Sequence, residues 1–392
     1  EGRAEAVQAW IEEFEREHPH IKVEWLQPPS DYRERTLISW ASGTGPDVIE
    51  IWGDWAQDYA RAGVLMDLRR YVERDFTQED IADFYPVAWN ASFLQHGANA
   101  GIQFRIPRYI ITLVYYFNAE HLAAAGLETP LALDARGEWT YEAVRELARR
   151  LTVFNGNEVG RYGFTTDTDA HRRLNTWMRA FGGDLFDPQS PTRFIGHEAP
   201  AVEAMTFLQE MIWQDQSTLP EFDPSRFYTG GVSLVEEGNH AVLSRFERNI
   251  QGSFEWNIAP APVGRAGRKA YTGDDGFAIW KDTPHPEEAW EFVKFLTSKR
   301  GQEIAALNEG LAPVRRSATP LYLELAPHIN LQAYMVNMED AALPVSSLMV
   351  GDVAEIGRIL DGILEMTMER NEKPYAQAIQ EVVEQLNVLA QQ

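Results

Sequence analysis

The segment that decides the fold is Ala41-Ser42-Gly43-Thr44-Gly45-Pro46-Asp47-Val48, which continues into Ile49-Glu50-Ile51-Trp52. Its glycines and its proline predict the end of a helix that covers 32–41, because these residues do not continue a helix. The apolar run 48–52, with one charge, predicts a short strand. Upstream, apolar residues alternate with charged ones across 21–25, the pattern of another strand. Strand, helix and strand in this order predict an α/β fold built on a mainly parallel sheet flanked by helices.

A second segment predicts how the chain passes between domains. Residues 109–117 are apolar or aromatic apart from Thr112, and they follow Ile106-Pro107. This pattern predicts one buried strand, which at about 3.3 Å per residue would be close to 30 Å long. A strand of that length is a candidate hinge.

Apolar periodicity predicts the other elements along the chain. The predicted strands are 256–259 and 277–280. The predicted helices are 4–17, 118–125, 141–151, 174–181, 199–212, 286–296, 301–307, 353–367 and 375–389. Thr140 is the predicted N-cap of the helix at 141–151, because a Thr side chain accepts a hydrogen bond from the first helical turn.

Composition bounds the function. The chain has 392 residues, a length that suggests two domains, and a formal charge of −24, which excludes a basic nucleic-acid groove. It contains no cysteine, so disulfides, thiol nucleophiles and thiolate metal sites are excluded. No apolar stretch is long enough to cross a bilayer, and 1–3 does not resemble the start of a signal peptide. We expect any export signal to have been removed upstream of this numbering.

Each enzyme or metal-site motif that the sequence resembles is incomplete. His197-Glu198 lacks the second histidine of a zinc-protease helix, because Ala201 stands there. Gly43-Thr44-Gly45 lacks the third glycine of a dinucleotide fingerprint and precedes a strand instead of following one. Gly231-Val232-Ser233 lacks the second glycine of a nucleophile elbow, since position 235 is Val235. We therefore expect no catalytic residue, no metal and no cofactor.

Two groups of polar and aromatic residues have competing interpretations. Asp274-Asp275 is either a carboxylate pair or part of a turn between two glycines, and the turn is favoured because neighbours on an extended chain point to opposite faces. Trp52 and Trp55 are either core residues or ligand contacts, since they follow a strand where a parallel sheet meets a cleft. Aromatic rings stack on the C–H faces of sugars, and polar side chains bond the hydroxyls. This mixture indicates carbohydrate.

Four landmarks together resemble the extracellular solute-binding proteins of ABC importers, in the sugar-binding family 1 that includes maltose-binding protein. The resemblance covers nearly the whole chain in the family's order. The landmarks are Trp10 to Val23, Ala41 to Val48, Ile106-Pro107 through Asn118, and Ala289 to Leu296 with Leu311-Ala312-Pro313-Val314-Arg315.

The resemblance implies a two-lobed periplasmic-binding-protein fold, with a ligand cleft at the hinge and lobe closure over the ligand. The first lobe would be 1–109 and 263–315, and the second 110–262 and 316–392. The resemblance also implies docking onto membrane permease subunits, an extracytoplasmic location and a monomer. The family begins with a strand and an aromatic loop before its first helix, so these, and the lipid-bearing cysteine of many relatives, would lie upstream of Glu1.

Carried over position by position, the resemblance implies ligand contacts along the whole chain. The family usually has Gly, any residue, Trp where this chain has Ser244-Arg245-Phe246, so either Phe246 replaces the stacking Trp or the register of the match is off by two. The implied ligand-binding residues are Trp52, Asp54, Trp55, Arg108, Tyr109, Asp169, His171, Arg172, Asn175, Arg245, Phe246, Asp274, Asp275 and Arg315.

The sequence thus predicts a non-catalytic receptor that captures a small oligosaccharide of two or three units for an ABC importer. An acidic sugar such as a uronate is an alternative, because arginines pair with carboxylates. The arginines in question are Arg105, Arg108, Arg172, Arg245 and Arg315. A glycerol phosphodiester or a polyamine on the same fold is a further alternative, and a secreted glycoside hydrolase with two cleft carboxylates is a remote one.

Overall fold

The structure is a computed structural model that describes residues 2–27, 31–168, 171–238, 240–339 and 341–391. At some of these positions only the backbone is described: Asp54, Arg172, 240–244, Asp274 and Ser346. The chain divides into two compact units. Unit 1 comprises Glu1–Ile111 and Gly273–Ala326, and unit 2 comprises Thr112–Thr272 and Pro327–Gln392. The lobe boundaries that the family resemblance implies stay a prediction.

The strands of the described chain are short and are numbered here in chain order. They are β1 (Val48–Trp52), β2 (Ile106–Ile111), β3 (Val114–Asn118), β4 (Val153–Asn155), β5 (Glu158–Thr165), β6 (Phe186–Asp187), β7 (Ser190–Phe194), β8 (Val232–Glu237), β9 (Trp256–Ala259), β10 (Val263–Gly264), β11 (Gly267–Arg268) and β12 (Gly273–Ile279).

The sheets are mixed, not mainly parallel as the alternation of strands and helices predicted. In unit 1 the described sheet has the order β1-β12-β2, and both pairings are antiparallel. The larger sheet of unit 2 has the order β4-β5-β8-β3-β9, in which only β5 and β8 pair parallel. The partner of β1 returns more than 200 residues later, so local periodicity finds the strands without fixing their direction.

Helices cover both units. The helices of unit 1 are Gly2–Glu17, Tyr32–Ala41, Gly53–Arg61, Arg69–Asp75, Gln78–Ala82, Pro86–Asn90, Pro286–Leu296, Lys299–Glu309 and Thr319–Glu324, with a 3₁₀ turn at Arg316–Ala318. Those of unit 2 are Ala119–Ala124, Pro130–Ala135, Tyr141–Leu151, His171–Ala180, Ala199–Trp213, Ser225–Tyr228, His240–Ile250, Gln332–Glu339, Val345–Leu348, Val353–Leu364, Tyr375–Gln380 and Val383–Ala390, with a π-helical turn at Glu365–Glu369.

Several predicted elements are confirmed to the residue. The strand Val48–Trp52 and the helices Tyr32–Ala41, Tyr141–Leu151 and Pro286–Leu296 have the predicted bounds. Thr140 caps its helix, because its Oγ1 accepts a hydrogen bond from the Ala143 amide at 3.2 Å. These segments carry strong local start and stop signals, which is why the sequence predicted them well.

The strand predicted across 21–25 is wrong. The structure assigns no regular element to 21–27, and none of the described strands pairs with this segment. The Val23 amide instead donates to the Glu15 carboxylate at 2.9 Å, and Trp25 is 42 % exposed. The alternating pattern is present, but a side chain of the preceding helix takes the backbone donor that a strand partner would need.

The single long strand predicted over 109–117 is also wrong. The chain forms β2 and β3 instead, and Thr112 and Leu113 separate them where the chain leaves unit 1 for unit 2. The Leu113 carbonyl accepts a hydrogen bond from the Asn337 side chain at 2.7 Å, so it does not serve in a strand ladder. A continuous apolar run hides this interruption, because Thr112 and Leu113 are as buried as the strands beside them.

The turn predicted at Asp274-Asp275 is a strand. Both residues lie in β12, where Asp274 pairs with Ile110 and Asp275 with Tyr109 across β2. The pairing shifts register between Asp275 and Gly276, which marks a β-bulge. The flanking glycines, which the sequence analysis took as turn signals, accompany this bulge instead.

Each unit has its own apolar core. In unit 1, Ile49 and Ile51 of β1 pack with the aromatic rings of Trp40 and Tyr59. In unit 2, β3, β5 and β8 pack against helices of both chain segments. In the described part of the chain, no helix is long and apolar enough to cross a membrane.

Candidate functional site

Trp52 ends β1 and precedes the helix Gly53–Arg61 in unit 1. Its side chain is 47 % exposed, although it follows Ile51, which is fully buried. Gly53 has a φ of +60°, a conformation that side chains with a Cβ rarely adopt, and it turns the chain from strand to helix. The local sequence therefore presents a large, exposed aromatic ring at the end of a strand.

The Trp52 ring is backed by other aromatic rings of unit 1. The Tyr32 ring lies parallel to it within 13°, with 6.4 Å between centroids. The Trp55 ring lies edge-on at 5.1 Å and is itself packed edge-on against Tyr59, also at 5.1 Å. Trp55 is only 8 % exposed. The cluster thus has one exposed ring, Trp52, beside the partly buried Tyr32 and over the buried rings of Trp55 and Tyr59.

The two tyrosines of this cluster are neutral hydrogen-bond donors. The Tyr32 hydroxyl donates to the Glu50 carbonyl oxygen at 3.3 Å, and the Tyr59 hydroxyl donates to the Arg33 carbonyl oxygen. Burial raises the pKa of Tyr59 to about 12. Burial also raises the pKa of Tyr32, and the carboxylate of Asp275 adds to that rise. Both hydroxyls therefore stay protonated at neutral pH.

Arg108 lies in a buried ion-pair network of unit 1. Its two terminal nitrogens donate to Glu50 Oε1 at 2.6 Å and to Glu309 Oε1 at 2.5 Å, and Asp275 lies 3.9 Å away. Arg3 also pairs with Glu50 and Glu309. The Arg108 side chain is 3 % exposed. Its guanidinium therefore joins the first helix, β1 and the helix Lys299–Glu309.

Tyr109 and Asp275 face each other across β2 and β12. Burial raises the pKa of Tyr109, and the nearby Asp275 carboxylate raises it further. Asp275 is 4 % exposed. The side chain of Asp274, the other predicted contact on this strand, lies outside the described residues, as does that of Asp54.

Arg105 and Arg315, two further arginines of unit 1, also point inward. Arg105 is 1 % exposed, and its Nη2 donates to the Ala91 carbonyl oxygen at 2.7 Å. Arg315 is 6 % exposed, donates to the Thr297 carbonyl oxygen at 2.6 Å and pairs with Asp83 at 3.1 Å. Its guanidinium also lies 3.9 Å from the centroid of the Phe84 ring. The contacts of both arginines serve the interior of unit 1.

His171 begins the helix His171–Ala180 of unit 2. Its backbone amide and its ring Nδ1 both approach Asp361 Oδ1, at 2.9 Å and 2.5 Å. The ring is 3 % exposed, and its Nε2 is buried without a hydrogen-bond partner. Asp361 thus caps this helix from a distant part of the chain. Asp169 lies outside the described residues, and so does the side chain of Arg172.

Asn175 lies on the same helix and holds the following turn. Its Nδ2 donates to Asp184 Oδ1 at 3.0 Å, and its Oδ1 accepts a hydrogen bond from the Leu185 amide at 3.1 Å. It is 1 % exposed. Both ends of the amide are therefore used to join the helix to the chain that leaves it.

Arg245 and Phe246 differ sharply, although they are neighbours. The Arg245 side chain is 42 % exposed, and its Nη2 lies 3.7 Å from Glu237 of β8. Phe246 is fully buried, with ring centroids 4.2 Å from Tyr116 and 5.2 Å from Phe227. In the described structure Phe246 is a core residue and presents no exposed ring face.

Glu236 is a buried carboxylate of unit 2 that sequence reasoning missed. Its Oε2 accepts hydrogen bonds from Thr166 Oγ1 at 2.6 Å and from Trp177 Nε1 at 3.0 Å. Burial raises the pKa of Glu236, and the two donors oppose part of that rise. Every residue of β8 is buried, so no alternation of buried and exposed positions along this strand marks Glu236.

A shallow cavity of about 390 Å³ in unit 2 is lined by Arg179, Lys269 and the turn 182–184. Arg179 is already paired with Asp184 at 2.8 Å and bonded to the Leu343 carbonyl oxygen. No group of three or more His, Asp and Glu side chains that could hold a metal ion occurs among the described residues.

Of the predicted residues, the structure brings Trp52 and Trp55 into one surface cluster of unit 1. It adds Tyr32, which the sequence analysis did not single out. Tyr32 meets Trp52 through a contact across 20 positions, and the only local signal was an aromatic residue at the start of a helix.

Residues 1–303 match the sequence model of the family described as bacterial extracellular solute-binding protein. The chain belongs to this family. The resemblance stated from the sequence is thereby confirmed, and so is the two-lobed α/β fold class. Members of this family are solute-binding proteins, which agrees with the expectation of a receptor.

The chain is also similar to individual proteins and solved structures. The chain is 25 % identical over 330 residues to an uncharacterized lipoprotein in the oleD 5′ region of Streptomyces antibioticus, covering 80 % of this chain and 68 % of that one. Its fold matches the sugar-binding protein MalE from Xanthomonas citri with a TM-score of 0.82 at 19 % identity, over 99 % of this chain and 94 % of the other. It also matches UgpB from Mycobacterium tuberculosis in complex with glycerophosphocholine, with a TM-score of 0.76 at 20 % identity, over 99 % and 95 %.

Proposed function

We propose that this protein is a non-catalytic receptor that captures a small neutral oligosaccharide of two or three units outside the cytoplasm. By the lobe closure that the family resemblance implies, it would hold the sugar and deliver it to the permease of an ABC importer. The family membership supports the receptor role, and the similarity to a lipoprotein supports an extracytoplasmic location.

The exposure of Trp52 carries the proposal. A single exposed tryptophan is common on protein surfaces and does not by itself indicate a binding site. Trp52 differs because it ends a buried strand and packs on other aromatic rings. The C–H face of a pyranose ring can cover the free face of such an indole, as aromatic side chains do in binding sites. Asp54, two positions later, is the proposed hydroxyl partner.

The set of proposed contact residues is smaller than the set that the resemblance implied. Its members in unit 1 are Trp52, Asp54, Tyr109 and Asp274, with Trp55 beneath. In unit 2 they are Asp169, Arg172 and Arg245. We propose supporting roles for the remaining residues, whose polar atoms or rings serve contacts inside their own units: Arg108, His171, Asn175, Phe246, Asp275 and Arg315.

Charge supports a neutral ligand over a uronate. Five arginines motivated the acidic-sugar alternative, and three of them are Arg105, Arg108 and Arg315, which are nearly fully buried. Each of the three donates hydrogen bonds to carbonyl oxygens or carboxylates of unit 1. Arg245 is exposed but lies next to the Glu237 carboxylate. An acidic sugar would therefore meet less uncommitted positive charge than the sequence suggested.

A thermal-shift screen tests the proposal. A ligand that binds only the folded state stabilises that state and so raises the Tm. At 100 times its Kd, the ligand adds about 2.7 kcal/mol to the free energy of unfolding. The panel holds neutral di- and trisaccharides, a digalacturonate, glycerophosphocholine and spermidine. We expect a shift with neutral saccharides, lost in Trp52→Ala and retained in Ile38→Ala, an exposed control. A shift with only glycerophosphocholine, digalacturonate or spermidine would overturn the neutral-sugar proposal and identify its replacement.

The absence of catalysis has its own test. The saccharide that raises the Tm is incubated overnight with the protein, and the products are separated by chromatography. We expect the saccharide to be recovered intact. Shorter saccharides would instead support the glycoside hydrolase alternative, which requires two carboxylates flanking the bond.

A further inference from the structure

We infer that Tyr32 is a positioning residue that holds the Trp52 ring in the orientation needed to receive a ligand. This inference rests on the proposed function, because it assigns a role to Tyr32 in the same surface. Sequence reasoning singled out Trp52 and Trp55 without their neighbour.

Ring geometry is the first support. Trp52 is an exposed side chain at the point where β1 ends, so its own backbone restrains the ring only through χ1 and χ2. Tyr32 lies parallel to it within 13°, and Trp55 lies at 88° to it. Tyr32 and Trp55 also contact each other edge-on at 5.7 Å. Two differently oriented neighbours restrict both the tilt and the rotation of the indole.

The anchoring of Tyr32 is the second support. Its hydroxyl donates to the Glu50 carbonyl oxygen two residues before Trp52, so the tyrosine is tied to the strand whose end it supports. The Glu50 side chain is fixed in turn by Arg108 at 2.6 Å. Because 3.3 Å is long for an O–H···O bond, most of the hold comes from ring packing, not from the hydroxyl.

Consequences for binding follow from preorganisation. An indole that is already oriented loses less side-chain entropy when a sugar covers it. Since ordering a side chain on binding lowers the affinity, the fixed ring favours binding. Aromatic pairs of this geometry contribute a preference that corresponds to about two- to tenfold in an equilibrium constant. Removing the Tyr32 ring would therefore weaken binding without removing any proposed contact on Trp52 itself.

The test uses 5-fluorotryptophan and fluorine NMR on the full chain. The Trp52 resonance is identified by its loss in Trp52→Phe. The loss of a neighbouring ring moves this resonance by itself, so the line width is the readout of ring orientation. We expect the resonance to broaden in Tyr32→Leu, to stay sharp and in place in Tyr32→Phe, and to stay unchanged in Ile38→Ala, an exposed residue of the same helix. A Trp52 resonance as sharp in Tyr32→Leu as in the unmodified protein would overturn the inference. Far-UV circular dichroism checks that each variant folds.

A binding arm separates this inference from the proposed function. In calorimetric titration with maltotriose, we expect Tyr32→Leu to bind about two- to tenfold more weakly and Tyr32→Phe to bind as the unmodified protein does. If the unmodified protein bound no saccharide of the panel, the proposed function would fail, and the fluorine spectra would still decide whether Tyr32 orients Trp52. Equal affinities in a maltotriose-binding protein and its Tyr32→Leu variant would also contradict the inference.

Discussion

Trp52 and Phe246 were both predicted to contact the ligand through an aromatic ring, but the structure exposes the first side chain and buries the second. Trp52 of unit 1 is 47 % exposed on an aromatic base, whereas Phe246 of unit 2 is fully buried among other rings. Each is a large aromatic residue next to charged or turn-forming neighbours in the sequence. The difference teaches that an aromatic residue at a family landmark is a candidate contact only when the fold leaves one ring face open.

Replacing Phe246 with alanine tests the buried side of this comparison and should have the largest effect. The substitution leaves a cavity beside Tyr116 and Phe227, so we expect a loss of about 3–5 kcal/mol in the free energy of unfolding. Urea unfolding measures it. Trp52→Ala serves as the matched aromatic control, with an expected loss of less than about 1 kcal/mol. A Phe246→Ala protein as stable as that control would mean that the ring is not packed as described.

Arg108 extends the comparison from rings to charges. Arg108→Leu removes the buried partner of Glu50 and Glu309 and leaves both carboxylates only Arg3, which is more exposed, so we expect a loss of about 3 kcal/mol in the free energy of unfolding. Arg245→Leu is the control, because that side chain is 42 % exposed and its ion pair is long. The same urea experiment compares the two. Equal losses would remove the distinction between structural and surface arginines.

The bounds of many elements could be predicted because local signals define them. Thr140 caps a helix and Gly43 lies just beyond the end of another, and neither needs a distant partner. The pairing of β1 with β12 and the division at Thr112 could not be predicted, since they depend on residues far away in the chain. Within the site, Trp52 could be found from its place after a strand, but the burial of Phe246 and Arg315 depends on tertiary packing.

A smaller effect is expected at Glu236, where pH tests the interior of unit 2. Its folded-state pKa is raised by burial, so the protonated carboxyl favours the folded state at low pH, and this stabilisation is lost as pH rises through the raised pKa. In Glu236→Gln the amide oxygen can still accept from Thr166 and Trp177. We therefore expect the variant to gain stability relative to the unmodified protein as pH increases from 4 to 8.

Thermal unfolding across that pH range measures the difference between Glu236→Gln and the unmodified protein. Glu355→Gln, which changes a surface carboxylate paired with Arg358, is the control. A pH-independent difference at Glu236 would show that its carboxyl titrates normally in the folded state.

The most direct test of the central claim is calorimetric titration of the unmodified protein and of Trp52→Ala with maltotriose and the other neutral saccharides of the panel. Covering an indole is worth roughly 1.5–3 kcal/mol, so we expect one of these sugars to bind the unmodified protein and to bind Trp52→Ala at least about tenfold more weakly, with the Tm of the free protein nearly unchanged. Equal affinity of both proteins for that sugar would contradict the claim that the exposed Trp52 ring receives the ligand.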